Sequence, residues 1–358
     1  MIRIGVDAQI AEVSRAGIGQ FTAKILEELI RTNRAATYIP LKPKNRTRDF
    51  SMPERLWWDQ VALPRLAKRE KLDVLFKPAF SCPVRSKIPT VVVLHDLVAR
   101  LFPRQLHKPS AWFYGRWSPW TLRFAARVIA VSEQTATDAR AMLGIPGDRI
   151  RVVTQGVDGE AIRAASDFDK QVALKFRLTE KFILHVGTIE PRKNLAFLIR
   201  AFTRFHKSFP EYSLVLAGSE GWLSDDVHRA AEKSTVAQSI RFLGNVTNDE
   251  LFALYRLARA LAFPTLYEGF GRPPLEAMAA GTPVVATRIS SVPEVVGDAG
   301  ILISGYDEGE WANAFIRAAE DATERERLRN TSIARSRAYT WSRAAQQVSE
   351  ILHEVAHG

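Results

Sequence analysis

Residues 260–286 read ALAFPTLYEGFGRPPLEAMAAGTPVVA, and the order of their elements indicates the fold class. An apolar run at Ala260–Phe263 is followed by a loop that contains glycines. Pro273 and Pro274 then begin a helix, because proline is favoured in the first helical turn. A second apolar run follows at 283–286. The order strand, helix, strand is that of a βαβ unit, which builds parallel sheets.

The same alternation continues along nearly the whole chain of 358 residues. Helical stretches separate strand-like apolar runs, which lie at 2–6, 74–76, 90–95, 128–132, 182–186, 213–217 and 240–243, in addition to the two quoted above. Short apolar runs that alternate with helices are typical of parallel sheets covered on both faces. The sequence therefore predicts an α/β fold with doubly wound parallel sheets.

A polar stretch near 156–178 divides the chain into two such series. We predict one domain at 1–165 and a second at 166–340, with a C-terminal helix at about 341–358 that packs back on the first. Ligands of open parallel sheets bind outside the carboxyl ends of the strands. The expected site is therefore a cleft between two facing sheets.

Composition excludes several classes of protein. With 46% hydrophobic and 25% charged residues, the chain is neither disordered nor collagen-like. Its one cysteine, Cys82, excludes a disulfide framework and a cysteine-built metal cluster. No apolar run has the length of a membrane span, and a strand pattern begins directly after Met1. We therefore expect a cytosolic chain without a signal peptide.

The positive charge is concentrated in the first half of the chain. Residues 1–165 contain 27 Lys+Arg and 15 Asp+Glu, whereas residues 166–358 contain 23 and 24. The first half also mixes tryptophans with cations, and the residues that we expect at a contact surface are Arg55, Trp57, Trp58, Trp112, Arg116 and Trp117. Such segments suit an anionic lipid interface or stacking on single-stranded nucleic acid. The same tryptophans could instead be buried in the core.

Two glycine-containing loops are candidate phosphate sites. Gly17 and Gly19 follow the first strand and open a helix, where free N–H groups favour an anion. Thr22 occupies the position of the third glycine of a dinucleotide fingerprint, so a plain βα turn is an equal alternative. In the second half, Arg192 and Lys193 lie at the expected start of a helix. Cations are unfavourable there unless an anion such as a diphosphate binds.

Two carboxylates flank the glycine loop of the opening stretch. Glu268 lies in the loop and Glu276 in the first turn of the following helix. Carboxylates accept several hydrogen bonds and therefore suit the vicinal hydroxyls of a sugar or a ribose. A pair of glutamates predicts little by itself. Its place between a strand and a helix makes it a strong indication of a ligand site.

These segments, together with Leu94-His95-Asp96, resemble the retaining glycosyltransferases of family 4. The resemblance covers nearly the whole chain, is densest at 182–303, and is greatest to bacterial mannosyltransferases of cell-surface polysaccharide assembly. It implies the GT-B fold, in which two Rossmann-like domains face each other across a cleft. In many relatives an arginine stands where this chain has Thr188, so one phosphate contact is in doubt.

The resemblance also implies a role for each matching residue. Arg192 and Lys193 would hold the diphosphate of a nucleotide-sugar donor, and Glu276 would bind its ribose. Glu268 would hold the transferred sugar, and His95 would lie near its reacting carbon. The further donor-binding residues would be Gly17, Gly19, Gly187, Thr188, Asn245, Val246, Gly269, Phe270 and Gly271.

The expected reaction moves a hexose, first of all mannose from GDP-mannose, to an anionic lipid-linked or glycan acceptor at the cytoplasmic face of the inner membrane. UDP- or dTDP-sugars are alternative donors, and an epimerase or a nucleic-acid-binding protein is a weaker alternative. The Asp167-Phe168-Asp169 triplet lies in the polar linker and not after a buried strand. We therefore predict that no metal or other cofactor is required, and that Arg192 and Lys193 stabilise the leaving diphosphate.

Overall fold

The computed structural model describes residues 1–13, 17–32, 35–43, 48–164 and 167–358. The chain forms two units, one of residues 1–156 with 339–358 and the other of residues 157–338. Each contains a six-stranded parallel sheet with helices. Among the described residues, no helix combines the length and the apolar character needed to cross a membrane.

The first sheet has the strand order β2-β1-β3-β4-β5-β6. Its strands are β1 (Ile2–Asp7), β2 (Ala36–Leu41), β3 (Val74–Lys77), β4 (Thr90–Leu94), β5 (Arg127–Ala130) and β6 (Ile150–Val152). The helices of this half are α1 (Gln9–Val13), α2 (Ile18–Thr32), α3 (Met52–Trp57), α4 (Leu63–Arg69), α5 (Val98–Leu101), α6 (Lys108–Trp112), α7 (Ser118–Thr121) and α8 (Glu133–Leu143). Two π-helical turns, Trp58–Ala62 and Phe113–Trp117, join α3 to α4 and α6 to α7.

The second sheet has the strand order β12-β11-β10-β7-β8-β9. Its strands are β7 (Lys181–Val186), β8 (Tyr212–Ala217), β9 (Ile240–Gly244), β10 (Ala260–Phe263), β11 (Val284–Thr287) and β12 (Ile301–Ile303). Its helices are α9 (Gly159–Arg163), α10 (Phe168–Lys175), α11 (Leu195–His206), α12 (Asp225–Glu232), α13 (Asn248–Leu257), α14 (Arg272–Ala280), α15 (Val292–Val296), α16 (Glu308–Ala319) and α17 (Ala322–Ser336). Every residue of β8, β10 and β11 is buried, as expected for a sheet covered on both faces.

The last helix, α18 (Trp341–His357), belongs to the first unit and packs on α2. Its Ser349 hydroxyl lies 3.1 Å from the Tyr38 hydroxyl of β2. Residues 157–164, which the sequence analysis assigned to the first domain, belong to the second unit, because α9 packs on α13 and α14 there. Arg163 of α9 donates a hydrogen bond to the Ala279 carbonyl.

Each sheet has one point at which the chain reverses its direction across the strands. In the second sheet, β7 to β9 run outward on one side, and β10 then returns to pair with the other edge of β7. In the first sheet the corresponding neighbours are β1 and β3. Loops diverge at such switch points and leave a crevice at the carboxyl ends of the two strands, where ligands of this architecture bind.

Buried ion pairs fill the switch point of the first sheet. The ammonium of Lys77, at the end of β3, lies 2.8 Å from the Asp7 carboxylate and 2.7 Å from that of Asp59, and the side chains of Lys77 and Asp59 are fully buried. Ser81 also donates to Asp59, and the Trp58 indole donates to Asp7. Burial raises the pKa of Asp59. The charges at this switch point are thus paired with one another inside the protein.

We expect Lys77→Met to destabilise the protein by about 3–5 kcal/mol, because two buried carboxylates lose their cation. The measurement is the free energy of unfolding in urea. Lys42→Met is the control, since Lys42 pairs with Glu12 on the exposed surface of the same unit and should change the free energy by less than about 1 kcal/mol. Equal effects of the two substitutions would contradict the prediction.

Candidate functional site

The switch point of the second sheet carries most of the residues to which the sequence analysis assigned a role in donor binding. One segment follows β7 and includes Gly187 and the 3₁₀ turn Pro191–Lys193. The other follows β10 and runs from Pro264 to Gly271. The two segments are joined by a backbone hydrogen bond of 2.8 Å from Leu266 to the Arg192 carbonyl.

Glu268 is the centre of an ionic cluster in this crevice. Its Oε1 accepts hydrogen bonds from Arg192 Nη1 at 2.8 Å, Lys193 Nζ at 2.5 Å and Thr265 Oγ1 at 2.9 Å. The other terminal nitrogen of Arg192 bonds Glu190 Oε1 at 2.6 Å. Arg192, Lys193 and Glu268, which the sequence analysis named as catalytic candidates, are therefore in direct contact.

The charges of this cluster balance, and their balance sets the pKa values. Burial acts to raise the pKa of Glu268, but the charges of Lys193 and Arg192 outweigh it and lower the pKa to about 2. Burial lowers the pKa of Lys193. Two cations face the carboxylates of Glu190 and Glu268, so an incoming anion meets cations that the protein already holds in place.

The two cations do not lie within a helix. They are on the 3₁₀ turn, and Asn194, with a φ of 56°, separates them from the start of α11 at Leu195. Arg192 and Lys193 thus lie directly before the N-terminus of α11, close to where the sequence analysis expected them. Glu268 and Glu190 supply negative charge beside them.

The backbone of Gly187 packs closely against Lys193 and His185. Gly187 has a φ of 151°, and a Cβ at this position would lie 3.2 Å from Lys193 Cε and 3.4 Å from His185 Nε2. The His185 side chain is fully buried, and its Nδ1 lies 2.9 Å from the Ala262 carbonyl. Burial lowers its pKa to about 4, so the ring is neutral at pH 7. Nε2 has no hydrogen-bond partner among the described residues.

Glu276 lies in α14, which begins at Arg272 directly before the two predicted prolines. The glutamate is buried. Its carboxylate accepts hydrogen bonds from Tyr255 and Arg272 and is not part of the cluster around Glu268. Gly271, with a φ of 99°, turns the chain into the helix. Gly269 and Phe270 are buried in the same loop.

The remaining predicted donor residues are more scattered. Asn245 and Val246 follow the edge strand β9, two strands away from β7, and Asn245 is exposed. Thr188 is half-buried beside Gly187. In the first unit, Gly17 has a φ of 52° and precedes α2, whose second residue, Gly19, is buried. Residues 14–16 of that loop lie outside the described residues.

His95 directly follows β4 in the first unit. Its Nε2 lies 2.7 Å from the Pro78 carbonyl, and its ring makes an edge contact with Phe21 at 5.0 Å between centroids. A small cavity of about 100 Å³ adjoins it, and its lining includes Asp96, Phe80 and Tyr114. His95 thus borders a cavity, whereas its catalytic role stays a prediction.

The expected aromatic surface divides into two parts. Trp112, Trp117 and Trp120 form a ladder with ring centroids 6.0 and 5.2 Å apart, and Arg123 lies 5.5 Å from the Trp120 ring. A groove of about 390 Å³ runs along them and is also lined by Arg100, Arg116 and Arg123, with no carboxylate among its lining residues. Trp112, Arg116 and Trp117 of the predicted contact surface thus lie together along one groove.

The other part of the aromatic prediction was wrong for two residues. Arg55 is only 2% exposed, because its guanidinium bonds Gln9 and Asp49 and stacks on Phe50 and Phe80. Trp58 is 3% exposed, because its indole bonds Asp7 in the buried ion network. Neither side chain is available to a surface. Trp57, between them, is 57% exposed.

Sequence reasoning missed Tyr255, Thr265 and His185. Tyr255 contacts Glu276 from a neighbouring helix, whereas Thr265 lies three residues before its partner Glu268 and His185 two residues before Gly187. A tyrosine in an amphipathic helix or a histidine within an apolar strand is an ordinary core residue by pattern alone. Only the pairing of β7 with β10, and of α13 with α14, shows their positions.

Two family models match the chain. One described as "Glycosyl transferases group 1" matches residues 167–335, and one described as "Glycosyltransferase Family 4" matches residues 23–161. Escherichia coli O-antigen chain mannosyltransferase B is 30% identical over 78% of this chain and 74% of that protein. Escherichia coli WbdA, a serotype-specific mannosyltransferase, is 31% identical, and the match spans about a third of its length.

Solved structures resemble the chain along nearly its whole length. Anabaena HepE in complex with UDP-glucose has a TM-score of 0.77 at 20% identity, covering 99% of this chain and 100% of that one. WaaG, described as a glycosyltransferase involved in lipopolysaccharide biosynthesis, has a TM-score of 0.75 at 15% identity and covers 98% and 99%.

The ionic cluster predicts a pH-dependent contribution to stability. Because the pKa of Glu268 is lowered to about 2 in the fold, its contribution is complete above pH 4.5 and is lost as the pH falls from 4.5 towards 2, on the order of 3 kcal/mol in all. Glu268→Gln cannot titrate. The difference in unfolding free energy between wild type and Glu268→Gln should therefore narrow below pH 4.5.

Urea unfolding at several pH values measures this difference. Glu308→Gln is the control, since Glu308 forms an exposed ion pair with Arg200 in the same unit. A difference between wild type and Glu268→Gln that stays constant from pH 7 to pH 3 would contradict the assignment.

Proposed function

The chain belongs to glycosyltransferase family 4 and has the GT-B fold, and we propose that it transfers mannose from GDP-mannose, with retention of configuration, to an acceptor of cell-surface glycan synthesis. The contact of Arg192 and Lys193 with Glu268 at the carboxyl ends of β7 and β10 carries this proposal. UDP- and dTDP-sugars are the alternative donors.

Cleavage of a nucleotide sugar leaves a nucleoside diphosphate, so the site must stabilise growing negative charge. Arg192 and Lys193 supply two preorganised cations in a mostly buried crevice, where each well-placed donor is worth on the order of 3 kcal/mol in the transition state. Gly187 lets the backbone come close to Lys193, where a side chain would crowd its ammonium-bearing end. In this proposal the two cations do the work for which other transferases use a metal ion.

In this proposal the carboxylates of Glu268 and Glu276 bind the uncharged parts of the donor, which are the transferred sugar and the ribose. Glu268, fixed by Thr265 and by two serine hydroxyls on its backbone carbonyl, faces the transferred sugar. Glu276 accepts from the ribose hydroxyls. Asn245 and Val246, beyond β9, border the base.

Metal independence is part of the proposal. Asp169, the second carboxylate of the Asp-x-Asp triplet, bonds Arg256 Nε at 2.9 Å and so serves as an internal partner. We further propose that the leaving phosphate deprotonates the acceptor and that His95 contacts the sugar.

Donor specificity in this proposal follows the relatives. O-antigen chain mannosyltransferase B and WbdA bear names of mannosyl transfer, whereas the solved structure of HepE holds UDP-glucose. The former are at least 30% identical and the latter 20%, which favours mannose and hence GDP-mannose.

The groove along Trp112, Trp117 and Trp120 supports a second part of the proposal. Three arginines without a carboxylate suit an anionic surface, and exposed indoles suit a lipid interface. We propose that this face binds the cytoplasmic leaflet of the inner membrane and brings the enzyme to a lipid-linked, anionic acceptor. Stacking on single-stranded nucleic acid is the alternative for the same surface.

Calorimetry with GDP, UDP, dTDP and ADP tests the donor site. We expect GDP to bind most tightly, and Arg192→Ala and Lys193→Ala each to weaken binding about tenfold or more, because each removes a charge-assisted hydrogen bond. Arg200→Ala, which removes an exposed arginine of α11 in the same unit, should leave the affinity unchanged.

Mannose transfer from GDP-mannose should fall at least about 100-fold in the Arg192 and Lys193 variants. If UDP or dTDP binds most tightly, the donor is a UDP- or dTDP-sugar instead of GDP-mannose, and the proposed reaction is still glycosyl transfer. If none of the four nucleotides binds, the proposed function is wrong.

Vesicle co-sedimentation tests the membrane surface. Wild type should bind vesicles rich in phosphatidylglycerol better than vesicles of phosphatidylcholine. The triple change Trp112→Ala, Arg116→Ala, Trp117→Ala should weaken this binding about tenfold, whereas Trp222→Ala, at a half-exposed site of the second unit, should not. Binding to single-stranded RNA without binding to vesicles would favour the alternative.

A further inference from the structure

A tyrosine outside the predicted site holds the glutamate that we assign to the ribose. The hydroxyl of Tyr255, in α13, donates a hydrogen bond of 2.9 Å to Glu276 Oε2 in α14. The tyrosine side chain is fully buried, and Glu276 is 9% exposed. The bond thus lies inside the protein, on the side of the carboxylate away from solvent.

Arg272 occupies the second oxygen of the same carboxylate. Its Nη2 lies 2.8 Å from Glu276 Oε1, one helical turn away in α14. A carboxylate offers about four lone-pair positions, and these two donors use one on each oxygen. The plane of the carboxylate is therefore fixed from both ends, and one position on each oxygen remains for a pair of hydroxyls.

The protein itself fixes the position of Tyr255. The hydroxyl of Thr282, just beyond α14, donates a 2.5 Å hydrogen bond to the Tyr255 backbone carbonyl and so joins α13 to the end of α14. Burial and the nearby charge of Glu276 raise the pKa of Tyr255 well above its ordinary value, so the phenol keeps its proton. It is thus a permanent donor in a fixed place.

We propose that Tyr255 is a positioning residue for ribose recognition: its hydroxyl orients the Glu276 carboxylate so that both oxygens face the vicinal diol of the nucleotide. The proposal rests on the proposed function, since it assumes that Glu276 binds ribose. Without the phenol, Glu276 keeps its charge and the bond from Arg272, but its carboxylate can rotate.

Tyr255→Phe tests the proposal, because it removes one oxygen and keeps the buried ring. The probes are the nucleoside diphosphate bound most tightly in the calorimetric panel and its analogue without ribose hydroxyls. Wild type should prefer the first probe. In Tyr255→Phe this preference should fall about three- to tenfold, with the affinity for the analogue within twofold of wild type. In transfer assays, KM for the donor should rise more than kcat falls.

Tyr212→Phe is the matched control. Tyr212 is a buried tyrosine of the same unit whose hydroxyl donates to another glutamate, Glu320. It lies at the start of β8, at the opposite end of the sheet from the crevice. This variant should keep the wild-type preference between the two probes.

Glu276→Gln separates the inference from the proposed function. If Glu276→Gln loses the preference and Tyr255→Phe retains it, Glu276 binds ribose without the help of Tyr255, and the inference is wrong. If Tyr255→Phe weakens both probes equally, Tyr255 is only structural, and the inference is again wrong. If Glu276→Gln itself keeps the preference, the assignment of Glu276 to ribose fails, and the inference fails with it.

Discussion

The carboxylate of Glu268 is the constraint on which the second unit's crevice depends. Two cations cannot share a buried space unless negative charge compensates them, and Glu268 contacts both Arg192 and Lys193. Its own place follows from strand pairing, because β10 returns beside β7 and brings residue 268 against the turn at 191–193. A resident anion thus keeps the cations ready for an anionic ligand.

The two sheets have different strand orders, and different side chains lie at their switch points. In the first sheet the buried ammonium of Lys77 pairs with Asp7 and Asp59 at the carboxyl ends of β1 and β3. In the second, Arg192 contacts both Glu190 and Glu268, and Lys193 contacts Glu268. The side chains at the strand ends, as well as the strand order, therefore determine what each switch point can bind.

The sequence predicted the fold class and most strands, because apolar runs of parallel strands are easily recognised. It missed β2, β6 and β12, since β2 carries Pro40 in an edge strand and β6 and β12 have only three residues each. The resemblance identified Glu268 with its two cations. Arg55 and Trp58 were placed wrongly, because composition does not show that Asp49 and Asp7 satisfy them inside the core.

The return of α18 to the first unit also has a consequence for biosynthesis. Residues 339–358 complete that unit, yet the ribosome makes them only after the whole of residues 157–338. Until then the apolar side of α2 is not covered by α18, whose buried side chains include Trp341, Val348 and Leu352. The first unit is therefore completed only after the second unit has been synthesised. A hydrophobic face of the nascent chain stays exposed until then.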